Sequence, residues 1–304
     1  MRLIFAGSGE FAVPSLEAML VSGHTIVQVV TQPDRPAGRG RHLTPTPIGA
    51  MAADRGLALL KTQNIDQEPL PPADLMVVIA FGQKIGQAVV HHPRLGSINL
   101  HGSRLPKFRG AGPINAAILA GDSISGNTVI RVAPRMDAGA ILGMTRLEIG
   151  ETETASELHD RLSKDGAPLL LNVIAQLESG SATETPQDES QATKAPKLSR
   201  EAARIAWSDP AASIARKIRG MYAWPGCHVH LIDPAGIERA RVTLVRARPT
   251  DESGPAGTIL PSGAIAAGTG AVQILELQPE GKRPMPLAAF KNGHPWNAGM
   301  LIQS

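Results

Sequence analysis

Leu75-Met76-Val77-Val78-Ile79-Ala80 is an uninterrupted apolar run with no polar residue on either face. Similar short runs occupy residues 2–6, 25–30 and 97–100, and helix-length segments at 14–21, 48–55, 85–90 and 113–120 separate them. Strands that are apolar on both faces are typical of a parallel sheet covered by helices. The alternation therefore predicts an α/β fold with a doubly wound, mostly parallel, Rossmann-like sheet, in which sites form at the carboxyl ends of strands.

A further helix is predicted after this region by a capping box, in which Thr154 is followed three residues later by Glu157. Gly166 and Pro168 interrupt its helical pattern. Because proline removes a backbone donor and clashes with the preceding turn, we expect a kink or break before residues 169–177.

The composition changes in the second half of the chain. Residues 181–197 are rich in Ser, Thr, Gln, Glu and Pro and lack apolar periodicity, which is typical of a linker. Beyond residue 207, short apolar runs alternate with Gly/Pro turns, which predicts a small, OB-like β-barrel. We therefore divide the chain into a first domain at 1–185, a linker at 186–206 and a second domain at 207–304.

The composition also excludes several classes of protein. With 304 residues, of which 42% are hydrophobic and 19% charged, the chain is too apolar for intrinsic disorder. No run approaches the roughly 18 apolar residues of a membrane span. The single cysteine, Cys227, leaves no internal disulfide, as expected of a reducing compartment. We expect a cytoplasmic protein without a membrane partner.

A glycine-rich turn at residues 7–12 fits the dinucleotide-binding pattern after a strand, and Asp34 ends the second strand where a ribose-binding acid would lie. However, Pro14 delays the helix, and Arg35 begins a long Pro/Gly insert directly after the acid. We favour a tight turn of an ordinary α/β sheet, with NAD binding as the alternative.

A polar cluster at the carboxyl end of one strand carries the chemistry. Asn99 and His101 point to the same side of the strand at 97–100, and a basic, glycine-bearing loop at 103–113 follows and is expected to hold a ligand. Asp137 can return to the same edge from a later loop. An amide, an imidazole and a carboxylate without a nucleophilic Ser or Cys suit acyl transfer by direct attack, since the first two can bind an oxyanion and the third can favour the charged imidazole and accept a proton. The alternative is that these are ordinary strand-end and turn residues.

Three potential metal ligands, Cys227, His228 and His230, lie close together in the second domain. Because no second ligand pair stands at a suitable spacing, we predict no metal site. We also expect the apolar and aromatic residues at 221–224 to pack in a core rather than contact RNA.

The segment at 93–114, which contains Asn99, His101 and the basic loop, resembles the signature of the folate-dependent formyltransferases. The resemblance implies that 10-formyltetrahydrofolate is the formyl donor, that tetrahydrofolate is a binding partner, and that Asn99, His101 and Asp137 are the catalytic residues. It also implies that four residues line the tetrahydrofolate site, namely Ser103, Arg104, Leu105 and Pro106. Arg104 departs from the leucine usual there.

Two basic segments resemble parts of those family members that act on an aminoacyl-tRNA. The insert at 32–41 is similar to a loop that enters the acceptor arm of initiator tRNA, and residues 195–207 are similar to their linker. Between residues 194 and 248, eleven Lys and Arg residues stand against four Asp and Glu, a surplus of the sign needed for an RNA backbone. The resemblance implies that the second domain binds tRNA and that five basic residues contact it: Arg35, Arg39, Arg41, Lys197 and Arg200.

Together these observations predict transfer of a formyl group to the α-amino group of methionine esterified to initiator tRNA, by a monomer. A formyltransferase for a small amine, such as an amino-sugar nucleotide, is the nearest alternative, and an NAD-dependent dehydrogenase is a more distant one. A non-catalytic tRNA-binding module leaves Asn99 and His101 unexplained.

Overall fold

The computed structural model describes residues 1–38, 40 and 42–304. The chain divides into two compact units. The first consists of Met1–Pro113, Ser125–Leu147 and His159–Ala195, and the second of Ile114–Ile124, Glu148–Leu158 and Pro196–Ser304. The units are more interleaved along the chain than the division at residues 185 and 206 drawn from composition, because Ile114–Ile124 and Glu148–Leu158 group with the C-terminal residues.

Short strands and helices alternate over the first 195 residues. The strands are β1 (Arg2–Gly7), β2 (Thr25–Thr31), β3 (Arg35–Ala37), β4 (His42–Thr44), β5 (Leu59–Lys61), β6 (Leu75–Ile79), β7 (Ser97–His101), β8 (Arg109–Gly110), β9 (Ile124–Ser125), β10 (Thr128–Arg131), β11 (Ile141–Met144), β12 (Leu147–Glu148) and β13 (Lys194–Ala195). The helices are α1 (Val13–Leu20), α2 (Pro47–Asp54), α3 (Gln87–Val90), α4 (Pro113–Ala120) and α5 (Ala155–Ser179), with 3₁₀ turns at Glu10–Ala12, Ile65–Gln67 and Glu189–Gln191.

The main sheet runs in the order β11-β10-β7-β6-β1-β2-β5. Strands β7, β6, β1, β2 and β5 are parallel to their neighbours in this series, whereas β10 is antiparallel to both β7 and β11. The predicted α/β fold with a mostly parallel sheet is therefore confirmed. The register of β10 places Thr128 opposite His101, so the carboxyl end of β7 meets the start of an antiparallel strand.

A kink or break is predicted before residues 169–177, and of these two a break is wrong, because helix α5 continues through Pro168. Gly166 has a different role from helix termination. A Cβ atom at this position would lie 2.7 Å from Cδ2 of Leu100, which is closer than real Cβ contacts. The glycine therefore lets the helix pack closely against β7, the strand that carries Asn99 and His101.

The second unit contains an antiparallel sheet and a covering helix. Its elements are α6 (Ala211–Met221), β14 (Cys227–Ile232), β15 (Glu238–Thr250), β16 (Ile265–Ala266), β17 (Ala271–Pro279), β18 (Met285–Pro286), α7 (Leu287–Phe290) and β19 (Leu301–Gln303), with a 3₁₀ turn at Glu201–Ala203. The sheet order is β16-β17-β15-β14-β19. Thr258 bridges to Leu301 in the edge strand β19, and the next residue, Ile259, bridges to Ile265 in the other edge strand, β16. The sheet is thereby nearly closed, and the predicted small β-barrel is confirmed.

Part of the segment predicted as linker belongs to the first unit. Strand β13 pairs in parallel with β8, with Lys194 beside Arg109 and Ala195 beside Gly110. Gly110 has φ of +127°, and a Cβ there would lie 2.4 Å from the Ala195 carbonyl oxygen, so this close approach requires glycine. The segment before residue 196 therefore lies against the loop that follows β7.

Candidate active site

Asn99 and His101 lie on the same face of β7 at the carboxyl edge of the sheet. The imidazole of His101 is 6% exposed, and its Nε2 lies 3.0 Å from the Phe108 carbonyl oxygen. A carbonyl oxygen accepts hydrogen bonds and cannot donate them, so Nε2 carries a proton and donates it. The other ring nitrogen, Nδ1, is therefore the one left to act on a neighbouring group.

Asp137 lies in the loop between β10 and β11, and this loop brings its carboxylate to His101. Its Oδ2 is 3.7 Å from Nδ1 of the imidazole and accepts a hydrogen bond of 2.8 Å from the backbone N–H of Gly110. The carboxylate side chain is 13% exposed. Charge interactions strengthen when water is largely excluded, so this carboxylate is well placed to stabilise positive charge on the imidazole.

The backbone of this loop is held in an uncommon conformation. Asp137 has φ of +53°, in the left-handed region that non-glycine residues rarely adopt. Two residues later, a Cβ on Gly139 would lie 1.8 Å from the Arg131 carbonyl oxygen. The loop therefore lies too close to the end of β10 for any other residue at position 139 without a backbone shift.

Gln187, from the segment predicted as linker, holds the same loop from outside. Its side-chain Nε2 donates to the carbonyl oxygens of Asp137 and Gly139, at 2.8 Å each. Its Oε1 accepts from Nε and Nη2 of Arg109, at 3.1 and 2.7 Å. The sequence gives no signal for Gln187, because glutamines are common in polar linker segments such as this one.

Arg109 belongs to the basic loop expected to hold a ligand, but its guanidinium is engaged within the protein. It is 10% exposed and forms an ion pair of 2.9 Å with Glu189, which also pairs with Arg135 at 2.7 Å. Hydrogen bonds from these two guanidinium groups lower the pKa of Glu189 to about 2. Arg109 thus fixes the site loops rather than facing a substrate.

The four residues expected to line a folate site form a tight loop directly after β7. The Ser103 hydroxyl donates to the Lys107 carbonyl oxygen at 2.7 Å. The Thr128 hydroxyl donates to the Ser103 carbonyl oxygen at 2.6 Å and accepts from the N–H of Leu105 at 3.1 Å. Leu105 is buried and Pro106 half-buried, whereas Arg104 is exposed. The loop is therefore fixed from β10, beside the trio formed by Asn99, His101 and Asp137.

The glycine-rich turn after β1 makes contacts within the protein. Ser8 donates from its hydroxyl to the Phe81 carbonyl oxygen at 3.2 Å, and a 3₁₀ turn separates it from α1. A Cβ on Gly7 would lie 2.8 Å from Cε1 of Phe5, which accounts for this glycine by packing. Asp34, considered as a ribose-binding acid, forms an ion pair of 2.7 Å with Lys61.

The basic insert forms a hairpin in which β3 and β4 are antiparallel. Arg35 is exposed, and its guanidinium donates to the side-chain oxygen of Gln32. Arg39 and Arg41, the other two insert residues predicted to bind tRNA, lie outside the described residues. Lys197 and Arg200, which follow β13, are both exposed.

The residues at 221–224 differ in how far they are buried. Met221 is buried in the core of the second unit, whereas Trp224 is 55% exposed, so the prediction that both pack in a core is wrong for Trp224. The local chain explains the difference, since Met221 ends α6 and Trp224 lies in the turn before β14.

Of the potential metal ligands, Cys227 and His228 lie on opposite faces of β14. Burial of Cys227 raises its pKa to about 12, and strand alternation turns His228 away from it, to the exposed face.

Two absences hold for the part of the chain that the structure describes. Residues 1–38, 40 and 42–304 contain no group of three or more His, Cys, Asp or Glu side chains that could hold a metal ion. The same residues contain no helix of sufficient length and apolarity to cross a membrane.

Comparisons with other proteins cover nearly the whole chain. Residues 1–174 match the family described as "Formyl transferase", and residues 197–295 match "Formyl transferase, C-terminal domain". A methionyl-tRNA formyltransferase from Methylococcus capsulatus is 40% identical over 305 residues, covering 97% of this chain and 97% of its own length. A methionyl-tRNA formyltransferase from Moorella thermoacetica is 38% identical over 315 residues, covering 99% of each chain.

A solved structure shares the fold at much lower sequence identity. The N-formyltransferase from Helicobacter canadensis, in complex with folinic acid and dTDP-3-aminofucose, has a TM-score of 0.67 and 16% identity. The match covers 92% of this chain and 99% of that chain. At this identity the likeness concerns the fold alone.

Proposed function

From the premise that this chain belongs to the formyl transferase family and formylates methionyl-tRNA, we propose that Asn99, His101 and Asp137 carry the transfer. The NAD-dependent dehydrogenase, considered from the glycine-rich turn, is wrong, because that turn lies within the part matched to the formyl transferase family. The observation that carries the proposal is the 3.7 Å approach of the Asp137 carboxylate to Nδ1 of His101, beside Asn99 on the same strand face.

The formyl donor in this proposal is 10-formyltetrahydrofolate. Its reacting group is an N-formyl carbonyl, whose oxygen accepts hydrogen bonds and becomes more negative when the carbon is attacked. The side-chain N–H of Asn99 and a protonated Nδ1 of His101 are the donor types that such an oxygen needs. The loop from Ser103 to Pro106, fixed beside them by Thr128, supports a folate site at this edge.

The residues divide the work of the transfer as follows. The neutral α-amino group of methionine attacks the formyl carbon, and Asn99 and His101 stabilise the resulting oxyanion. The Asp137 carboxylate stabilises the charged imidazole by its negative charge, 3.7 Å from Nδ1, and accepts the proton that the amine loses, directly or through water. The bond from the formyl carbon to N10 of the folate then breaks, and N10 takes up a proton, which releases tetrahydrofolate and formylmethionyl-tRNA.

The amine substrate in this proposal is methionine esterified to initiator tRNA. Exposed Arg35 on the β3–β4 hairpin, together with Lys197 and Arg200, supports binding of phosphates, and we assign Arg39 and Arg41 of the same insert to that role. We assign tRNA binding to the second domain, residues 207–304, and to Lys197 and Arg200 of the linker that precedes it. Since one chain carries the residues for donor and acceptor, we propose that the protein works as a monomer, in the cytoplasm.

A transfer assay tests the proposal directly. Purified protein is incubated with 10-formyltetrahydrofolate labelled in the formyl group and with charged initiator methionyl-tRNA, free methionine or amino-sugar nucleotides. We expect label on the methionyl-tRNA and none on the small amines. Label on a small amine alone would contradict the acceptor assigned here while leaving the trio in place, and transfer to no acceptor would contradict the proposed reaction.

A further inference from the structure

We propose that Gln187 is a positioning residue for Asp137, an inference that rests on the catalytic role proposed for that aspartate. A single side-chain amide bridges two residues of the site loop, with hydrogen bonds of 2.8 Å to the carbonyl oxygens of Asp137 and Gly139. These two residues are 50 and 48 positions away in sequence. The amide therefore fixes the loop backbone from a segment that is distant along the chain.

The hydrogen bonds close a ring that returns to the carboxylate. The guanidinium of Arg109 donates twice to Gln187 Oε1, and Gln187 donates to the Asp137 carbonyl oxygen. The residue after Arg109, Gly110, donates its backbone N–H to Oδ2 of Asp137. The backbone and the side chain of Asp137 are thus both tied to the same dipeptide, one through Gln187 and one directly.

Two contacts hold Arg109 itself in this arrangement. Glu189 accepts from the Arg109 guanidinium and from Arg135, and the low pKa of Glu189 keeps its carboxylate charged throughout the neutral range. The backbone of Arg109 is also bound, because its N–H donates to the Thr193 carbonyl oxygen at 2.8 Å. The donor that orients Gln187 is therefore fixed at both of its ends.

This ring bears on catalysis because Asp137 occupies a left-handed backbone conformation that is uncommon for residues other than glycine. Without the Gln187 amide, the Asp137 carbonyl loses a hydrogen-bond donor and the loop gains freedom to relax. A displacement of about 1 Å at a reacting group can lower turnover by about a hundredfold. The expected signature is a loss in kcat with little change in KM, since neither substrate contacts Gln187 in this proposal.

The experiment compares two glutamines from the same segment. Gln187→Met removes both the donor and the acceptor in a side chain of similar length. Gln191→Met is the matched control, because Gln191 is exposed and its side chain donates to Asp188 and not to the loop that carries Asp137. We expect kcat to fall about tenfold to a hundredfold in the first variant and to stay within about twofold in the second. In both variants, KM for methionyl-tRNA and for the formyl donor should stay within about twofold, because a positioning residue acts on the geometry of the reacting groups rather than on substrate binding.

A further variant covers a failure of Gln187→Met to fold. Gln187→Glu keeps an acceptor for Arg109 but cannot donate to the two carbonyl oxygens in its ionised form. We expect it to fold, with a cooperative thermal unfolding transition, and to show a comparable loss of kcat. Wild-type turnover in Gln187→Glu, or equal effects of the substitutions at 187 and 191, would overturn the inference.

A double-mutant cycle separates this inference from the proposed function. Asp137→Asn alone tests the catalytic role of the aspartate, and the pair Gln187→Met with Asp137→Asn tests whether the glutamine acts through it. We expect Gln187→Met to have little further effect in the Asp137→Asn background, measured by single-turnover transfer of labelled formyl groups. A full additional loss would refute the positioning role alone, whereas near-normal turnover of Asp137→Asn would refute the catalytic assignment and remove the basis for the inference.

Discussion

Asn99 and His101 lie on a strand that is hydrogen-bonded to a neighbour on each side, whereas Asp137 lies in a loop that side chains hold in place. The strand residues form the first half of the candidate site, and Asp137 with its loop forms the second. In the first half, the sheet ladder fixes the positions and the side-chain alternation fixes the direction. The loop of the second half has neither a sheet ladder nor strand alternation. There the Gln187 side-chain amide and the Gly110 backbone N–H hold Asp137 in position.

The two halves should therefore fail in different ways. Removing a side chain from β7 leaves the backbone in place and deletes one chemical group. Removing a support of the loop leaves every reacting group present and changes where Asp137 lies. The first kind of change should abolish steps of the reaction, and the second should slow them.

The largest effect is expected from the strand half. Asn99→Ala deletes a proposed oxyanion donor, and loss of one such donor lowers kcat by about a hundredfold to a thousandfold. His101→Ala should lower kcat at least as much, because it removes the other proposed donor and the imidazole beside Asp137. Single-turnover transfer to methionyl-tRNA measures both, with His92→Ala as control for loss of an exposed histidine. Turnover within about tenfold of wild type in Asn99→Ala would contradict the oxyanion role.

Gly139→Ala should damage the loop half without removing a functional group. The added Cβ would lie 1.8 Å from the Arg131 carbonyl oxygen, so the backbone must shift. Forcing extra atoms into a packed site typically costs about 1–3 kcal/mol of folding free energy. We expect a lower melting temperature together with a reduced kcat.

Gly293→Ala is the control for that substitution, since nothing lies within 4 Å of the position that its Cβ would take. Thermal unfolding followed by circular dichroism, with the transfer assay alongside, distinguishes the two variants. If Gly139→Ala matched Gly293→Ala in both measurements, the loop would not be under the steric constraint described here.

The first half of the site and most of its sheet could be predicted from the sequence. The apolar run at 75–80 and the alternation that puts Asn99 and His101 on one face are local patterns. Few structures other than a buried strand fit such patterns. The β-barrel could also be predicted, because turns and short apolar runs recur along this part of the sequence. Each of these elements is encoded within about ten neighbouring residues, the length of a single strand or helix.

In the second half, the return of Asp137 to this edge was predicted from the sequence, but the contacts that hold its loop could not be. Gln187 contacts a loop 50 residues away, and Arg109 reaches Gln187 across 78 residues, so no local pattern records either contact. Gly166 was misinterpreted for a related reason. Its absent side chain is explained by Leu100 on a distant strand, and the local sequence around it resembles the end of a helix.

A smaller effect, confined to one substrate, is expected from the exposed basic residues. Arg35→Ala, Lys197→Ala and Arg200→Ala should each raise KM for methionyl-tRNA several-fold and leave KM for the formyl donor unchanged. Each lost phosphate contact should also reduce the salt dependence of log kcat/KM by about one unit of slope. Arg55→Ala, an exposed arginine outside the candidate tRNA residues, is the control. An equal rise in KM for both substrates would contradict a role confined to tRNA binding. It would mean that these residues also act on the candidate active site.

The smallest effect is expected at Glu189, which supports the loop half from the surface. Its pKa in the folded protein is about 2, below its ordinary value of 4.5, because Arg109 and Arg135 donate hydrogen bonds to the carboxylate. A group with a lowered folded-state pKa contributes stability above its unfolded-state value and loses that contribution as the pH falls. The melting temperature of the wild type should therefore exceed that of Glu189→Gln by a small, constant amount above about pH 5, and the difference should shrink between about pH 4.5 and pH 2. Glu252→Gln, which removes an exposed carboxylate from the second unit, is the matched control for the loss of one negative charge. A difference between wild type and Glu189→Gln that stayed constant down to about pH 2 would mean that the ion pairs of Glu189 do not hold Arg109, and the ring would then depend on Gln187 and the backbone alone.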